Sequence, residues 1–243
     1  MSKIEWTDAT WNPVTGCTKV SPGCKHCYAE TMARRLQKMG APGYDNGFAL
    51  SLLPERLAQP FARRKPTMYF VNSMSDLFHA SVPFDFIDDV LEVIEKTPHH
   101  TYQILTKRGE TMRRYFSRRR VPDNAWLGVS IENRKHGVPR IASLRAIAAK
   151  TRFLSAEPLL EDLGPLDLSG IAWVIVGGES GHKARPMQES WAIRLRDQCR
   201  AANIDFFFKQ WGNWGHDGVR RSKKANGRKL QGQTWDMRPE ASV

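Results

Sequence analysis

The chain has 243 residues, four of them cysteine, with a formal net charge of +12 and 41% apolar and 26% charged residues. This is the composition of an ordinary globular protein, long enough to bury a substantial core, and no apolar run approaches the roughly 18–20 residues of a membrane span. The excess of lysine and arginine favours a polyanionic partner such as nucleic acid, with basic blocks at Arg118–Arg120 and at Arg220, Arg221, Lys223, Lys224, Arg228 and Lys229.

The first eight residues contain no apolar signal segment, so a reducing cytoplasm is the expected setting and disulfides are the weaker reading of the cysteines. Cys17, Cys24 and Cys27 then fall within eleven residues as C-x6-C-x2-C, on a loop containing glycine and proline. A structural zinc or a closed iron–sulfur cluster normally takes four ligands. Three therefore point to a cluster with one open iron, to a zinc completed by His26, Cys199 or another histidine, or to plain structural cysteines. Cys199 stands alone in an amphipathic helical stretch, where a buried core thiol is the usual fate.

The loop runs into a helix expected over Ala29 to Met39, stopped by Gly40 and Pro42. Strand-length apolar runs follow at 68–71, 102–105, 126–129, 152–154, 172–176 and 205–208. Helical patterns intervene at about 83–96, 110–119, 134–149 and 188–202. The alternation predicts an α/β fold, a parallel sheet covered by helices in a partial (β/α) barrel, and the continuously apolar runs fit strands buried on both faces. One domain over 1–214 is expected, with a basic tail of little regular structure over 215–243.

Each apolar run ends in a polar signature. These contain Asn72, Ser73 and Asp76; Lys107 and Arg108; Ser130 and Glu132; Ser155 and Glu157; Glu179 after Gly177–Gly178; and Lys209 and Gln210. The C-terminal strand ends of a β/α barrel form one rim, so six distant segments should converge on one mouth. The three glutamates can accept hydrogen bonds from an amino group or ribose hydroxyls, and Asn72, Ser73, Ser130 and Ser155 offer short polar contacts. Lys107, Arg108, Lys209 and Gln210 are candidates for a carboxylate or phosphate. Tyr28, Tyr69, Tyr102 and Cys199 are the thiol and phenols nearest such a site, and none is assigned as a hydrogen-atom donor. No G-x-G-x-x-G dinucleotide pattern is present.

The loop, with His26 just before the last cysteine, resembles the cluster loop of radical S-adenosylmethionine enzymes. It departs from their usual C-x3-C-x2-C by three residues. The segments at 4–13, 74–79, 105–108, 128–133, 153–158, 177–181 and 208–212 look closer still to a family of phage-associated and bacterial proteins with a radical-SAM-like cysteine motif. That match spans residues 4 to about 214, and the family has no settled activity. A looser similarity, in chemistry and cluster class, is to the spore photoproduct lyases, radical SAM enzymes that repair thymine lesions in DNA. The resemblance implies a radical SAM partial barrel with a [4Fe-4S] cluster on Cys17, Cys24 and Cys27. It also implies S-adenosylmethionine bound near His26, its amino group toward Asn72–Asp76 and its ribose toward Ser130 and Glu132. A nucleic-acid substrate with DNA favoured, lyase-type repair of a DNA photolesion as the narrower form, and an external electron donor complete the expectation. The alternative is a zinc-containing nucleic-acid-binding module without catalysis.

Overall fold

The computed structural model describes residues 4–240. Its strands are β1 (Ala9–Trp11), β2 (Val14–Thr15), β3 (Ser51–Leu52), β4 (Met68–Val71), β5 (Thr101–Thr106), β6 (Ala125–Ser130), β7 (Thr151–Ala156), β8 (Trp173–Gly177) and β9 (Asp205–Gln210). Its helices are α1 (Tyr28–Lys38), α2 (Phe84–Lys96), α3 (Gly109–Phe116), α4 (Pro139–Arg145), α5 (Glu189–Ala201) and the short α6 (Lys223–Asn226). Seven strands pair in parallel in the order β1-β4-β5-β6-β7-β8-β9, forming a half-barrel covered by helices, while β2 and β3 form a separate antiparallel pair. The expected α/β partial barrel is thus what the chain forms.

The period of two along each strand divides the core into two layers. Val71, Ile104, Leu127, Leu154, Val174 and Phe206 face the helices, joining Ile87, Val90, Met112, Leu144 and Leu195. Their neighbours Phe70, Trp126, Phe153, Trp173 and Phe207 fill the concave face together with Trp6. Trp6 packs on Phe70 at 4.7 Å and edge-on to Trp173 at 6.1 Å, so the half-barrel has an aromatic plug beneath its mouth.

The six anticipated strands and their helices form within a few residues of expectation, with one clear difference. The helix expected over 134–149 is only Pro139–Arg145. The Asn133 side-chain oxygen accepts from the backbone N–H of His136 at 2.9 Å and of Gly137 at 3.3 Å, which holds the preceding residues as a turn until proline opens the helix. β1 was not anticipated and supplies the sheet's first edge. Residues 215–240 contain one short helix and lie back along β9: Phe208 N–H donates to Trp235 O at 2.9 Å, and Trp173 Nε1 to Met237 O at 2.8 Å. Several cations of the basic blocks are tied into ion pairs, Arg119 with Asp88, Arg120 with Asp123, Arg221 with Asp217, Lys223 with Glu5 and Arg228 with Asp236. Among the described residues no helix is long and apolar enough to cross a membrane.

Candidate cofactor site at the strand ends

The cysteine loop begins at Gly16, which holds φ +78° with its missing Cβ directed at Ala49 O, 2.1 Å from where such an atom would sit. Only glycine fits there. Gly16 N–H donates to Met74 O at 3.1 Å and Cys17 N–H to Phe48 O at 3.2 Å, so the chain enters the loop pinned from two sides. Pro22–Cys24 form one tight 3-10 turn, and Cys27 occupies the N-cap of α1. The helix start presents free N–H groups and a partial positive charge beside the last cysteine, a setting that favours an anion.

Cys17, Cys24 and Cys27 are half-buried free thiols, and all three line one cavity of about 410 Å³. That volume is in the range of small-molecule sites, roughly 300–1,000 Å³. His26 and Tyr28 line it from the loop side. From the sheet come Asn72, Ser73 and Asp76, then Lys107, Ser130, Ser155 and Glu157, and finally Glu179, Lys209 and Gln210. The convergence expected of the strand ends is therefore found, apart from Arg108 and Glu132.

Glu132 and Arg108 do not line the cavity; they hold the cysteine loop in place. The Glu132 side chain is fully buried and takes Arg140 Nη1 at 2.6 Å, while Ser21 of the loop donates to its other oxygen. Such pairing is what a buried carboxylate requires. Burial opposes its ionisation, but Lys107 and Arg140 together with the Ser21 hydrogen bond more than offset that, leaving its pKa below the ordinary value. Arg108 Nη2 reaches Thr18 O at 3.1 Å, Thr18 Oγ1 at 3.0 Å and Cys17 Sγ at 3.9 Å.

A third clamp comes from Glu179, whose carboxylate receives Arg185 Nη2 at 2.6 Å and Nε at 2.9 Å. The same Arg185 donates to Pro22 O at 3.0 Å. Ser81 N–H donates to His79 Nδ1 at 3.1 Å, so the neutral ring carries its proton on Nε2 and donates it to Thr18 Oγ1 at 2.9 Å. The loop residues between Cys17 and Cys24 are thus gripped from the ends of β4, β5, β6 and β8. Arg140, Arg185, Ser21 and His79 were not anticipated. A glutamate closing an apolar strand requires a buried cation, and that requirement is the signal that could have pointed to the two arginines.

The remaining strand ends are laced to one another. Asp76 accepts from Thr106 Oγ1 at 2.7 Å and Lys107 N–H at 3.1 Å. Lys107 Nζ donates to Ser130 Oγ at 3.1 Å, Ser155 Oγ to Glu157 at 3.3 Å, and Lys209 Nζ lies 3.1 Å from Glu157. Gln210 Nε2 donates to Ser180 Oγ at 3.0 Å. Ser73 Oγ is turned to Asn12 Oδ1 at 3.1 Å. Asn72 holds φ +57° and accepts from Val14 N–H at 3.2 Å.

Three lining residues keep an unpaired buried polar atom, Nε1 of Trp6, Nδ2 of Asn72 and Oε1 of Gln210. The first two are donors and the third an acceptor, and buried polar atoms of this kind normally find partners. The donor set also fits a cluster: three cysteines, one per metal, on a loop ending at a helix N-terminus. Among the described residues no three of His, Cys, Asp and Glu converge closely enough to hold a single metal ion. Burial foremost, and then Asp76, push the Cys17 thiol up to about 11 against the opposing pull of Arg108.

Among solved structures, spore photoproduct lyase complexed with dinucleoside spore photoproduct aligns with 76% of this chain and 58% of its own at 14% identity, with a TM-score of 0.44. A mutant of that lyase with bound AdoMet and dinucleoside spore photoproduct gives 78%, 60%, 14% and 0.46. A cysteine-to-serine mutant gives 79%, 72%, 15% and 0.49. The chain spans about three fifths of the length of the first two. No curated protein matches it by sequence. The sequence model described as "Protein of unknown function (DUF5131)" matches residues 1–239, and the chain belongs to that family.

Proposed function

We propose that this protein is a radical S-adenosylmethionine enzyme that acts on nucleic acid, DNA being favoured, in a reducing cytoplasm. The observation that carries the reading is the meeting of Cys17, Cys24 and Cys27 with polar residues from the ends of six strands around one cavity. In this reading the three thiolates hold a [4Fe-4S] cluster. Bound together, cluster and S-adenosylmethionine supply a 5'-deoxyadenosyl radical for hydrogen abstraction once an external donor has reduced the cluster.

The chain's own residues do the rest. The unpaired Asn72 Nδ2, a donor, would hold the cofactor by its carboxylate rather than by the amino group expected there, and the unpaired Gln210 Oε1 would accept from an amino or hydroxyl group. Glu157, held by Lys209 and Ser155, presents a fixed carboxylate to a ribose or amino group. Ser130 is oriented by Lys107, and the aromatic plug of Trp6 and Phe70 keeps water out from below. The net charge of +12 supports a polyanionic substrate. Lyase-type cleavage of a DNA photolesion, the narrower form, follows the looser similarity, in chemistry and cluster class, to the spore photoproduct lyases.

Anaerobic incubation of the iron- and sulfide-reconstituted protein with dithionite and S-adenosylmethionine tests the proposal. Formation of 5'-deoxyadenosine, absent from Cys17→Ala, is expected. No product from a fully loaded sample defeats it. Thymine-lesion oligonucleotides left unchanged while 5'-deoxyadenosine accumulates would remove only the lesion substrate.

A further inference from the structure

Among the described residues, the one hydrogen bond from a charged side chain to a cysteine sulfur runs from Arg108 Nη2 to Cys17 Sγ, at 3.9 Å. The guanidinium has little freedom to be elsewhere. Its side chain is 12% exposed, the same Nη2 is anchored to Thr18, and Nε lies 3.9 Å from Asp76 Oδ2 with no hydrogen-bond partner. Its backbone is fixed as well, since Arg108 N–H donates to Thr106 Oγ1 at 2.8 Å and Thr106 donates onward to Asp76 at 2.7 Å.

We infer that Arg108 is a positioning and tuning residue for the cluster, setting the reduction potential through the Cys17 sulfur while pinning the loop beside it. The inference rests on the proposed cluster. Reduction adds one negative charge, and a fixed cation with a hydrogen bond to a ligating sulfur stabilises the reduced state over the oxidised one. Asp76, at 3.9 Å from Nε, opposes this field at the sulfur, but it is common to the wild type and to any Arg108 variant, so the difference between them reads Arg108. A lysine at this position would carry the charge but lack the planar guanidinium whose Nη2 serves Cys17 and Thr18 together.

The test is an anaerobic potentiometric titration of the reconstituted full-length protein, followed by the electron paramagnetic resonance of the reduced cluster. Arg108→Gln should make reduction about tenfold less favourable, a potential lower by about 59 mV for one electron. Arg108→Lys should shift it the same way by a smaller factor, about threefold. His79→Ala frees Thr18 of the same loop without removing a hydrogen bond to a cysteine sulfur or a fixed charge, and should leave the potential where it is. Equal potentials in wild type and Arg108→Gln, or in wild type and Arg108→Lys if only the lysine variant takes up cluster, overturn the inference alone. Loss of cluster from both variants with the fold intact reduces Arg108 to a loop anchor and also overturns the tuning role. A wild type that takes up no iron and sulfide overturns the proposed function instead.

Discussion

Replacing Arg140 by methionine would strand Glu132 as a buried carboxylate without its ion-pair partner. The Glu132 side chain is 0% exposed and Arg140 only 10%, with 2.6 Å between the charged atoms. Removing one member of such a pair costs about 3–5 kcal/mol. Lys107 and the Ser21 hydroxyl still act on Glu132, which places the expected loss near the lower end, about 3 kcal/mol. For a chain of this size each kcal/mol lowers Tm by about 2–4 °C, so the variant should melt ~6–12 °C early. The effect also has a pH signature. In the native protein the Glu132 pKa lies below its unfolded value, so its stabilisation is present above about pH 4.3 and fades as the pH falls through the lower folded value. In Arg140→Met both Arg140 contributions that lower the pKa are lost, so the folded pKa moves up from its wild-type position and the loss of stability is relieved by protonation in acid. Urea unfolding at pH 7 and at pH 4 should therefore show the gap between the two proteins shrinking toward acid. A gap under about 0.5 kcal/mol at pH 7, or one that does not change with pH, would refute the assignment of Glu132 and Arg140 as a buried clamp.

Gly16→Ala forces a side chain into left-handed backbone against Ala49 O and should cost about 1–3 kcal/mol, with looser amide protection at Cys17 by hydrogen exchange. Unchanged protection there would contradict the pinning of the loop entry. Asn72→Ala removes both the acceptor for Val14 N–H and the unpaired Nδ2, and should weaken S-adenosylmethionine binding to the reconstituted protein about tenfold, about 1.4 kcal/mol by calorimetry. Equal affinity would take Asn72 out of the cofactor site. Binding to duplex DNA should fall linearly in log affinity with log salt, and a salt-independent affinity would contradict an electrostatic role for the excess charge.

The central strands are readable from sequence because each is an uninterrupted apolar run of strand length closed by a polar residue, and burial on both faces of the sheet demands that pattern. β1 is not readable in this way: Ala9–Trp11 is three residues long with a threonine in the middle, and its place is set by pairing with β4. The cavity lining is legible for the same reason as the strands, since the residues that close parallel strands must gather at one rim. The clamps are less so. Nothing in local spacing tells Glu157, which faces the cavity, from Glu132, which faces away. Arg140 and Arg185 lie eight and six residues beyond their glutamates, on a helix and a loop that only tertiary packing brings back. The extra residues between Cys17 and Cys24 look irregular in sequence, yet Thr18, Ser21 and Pro22 among them are the points the clamps grip.

The central claim is tested most directly by iron, sulfide and zinc analysis of the anaerobically reconstituted protein beside its Cys17→Ala variant. The account predicts about four irons and four sulfides per chain in the wild type and a large loss in the variant. Stoichiometric zinc with neither iron nor sulfide would contradict it.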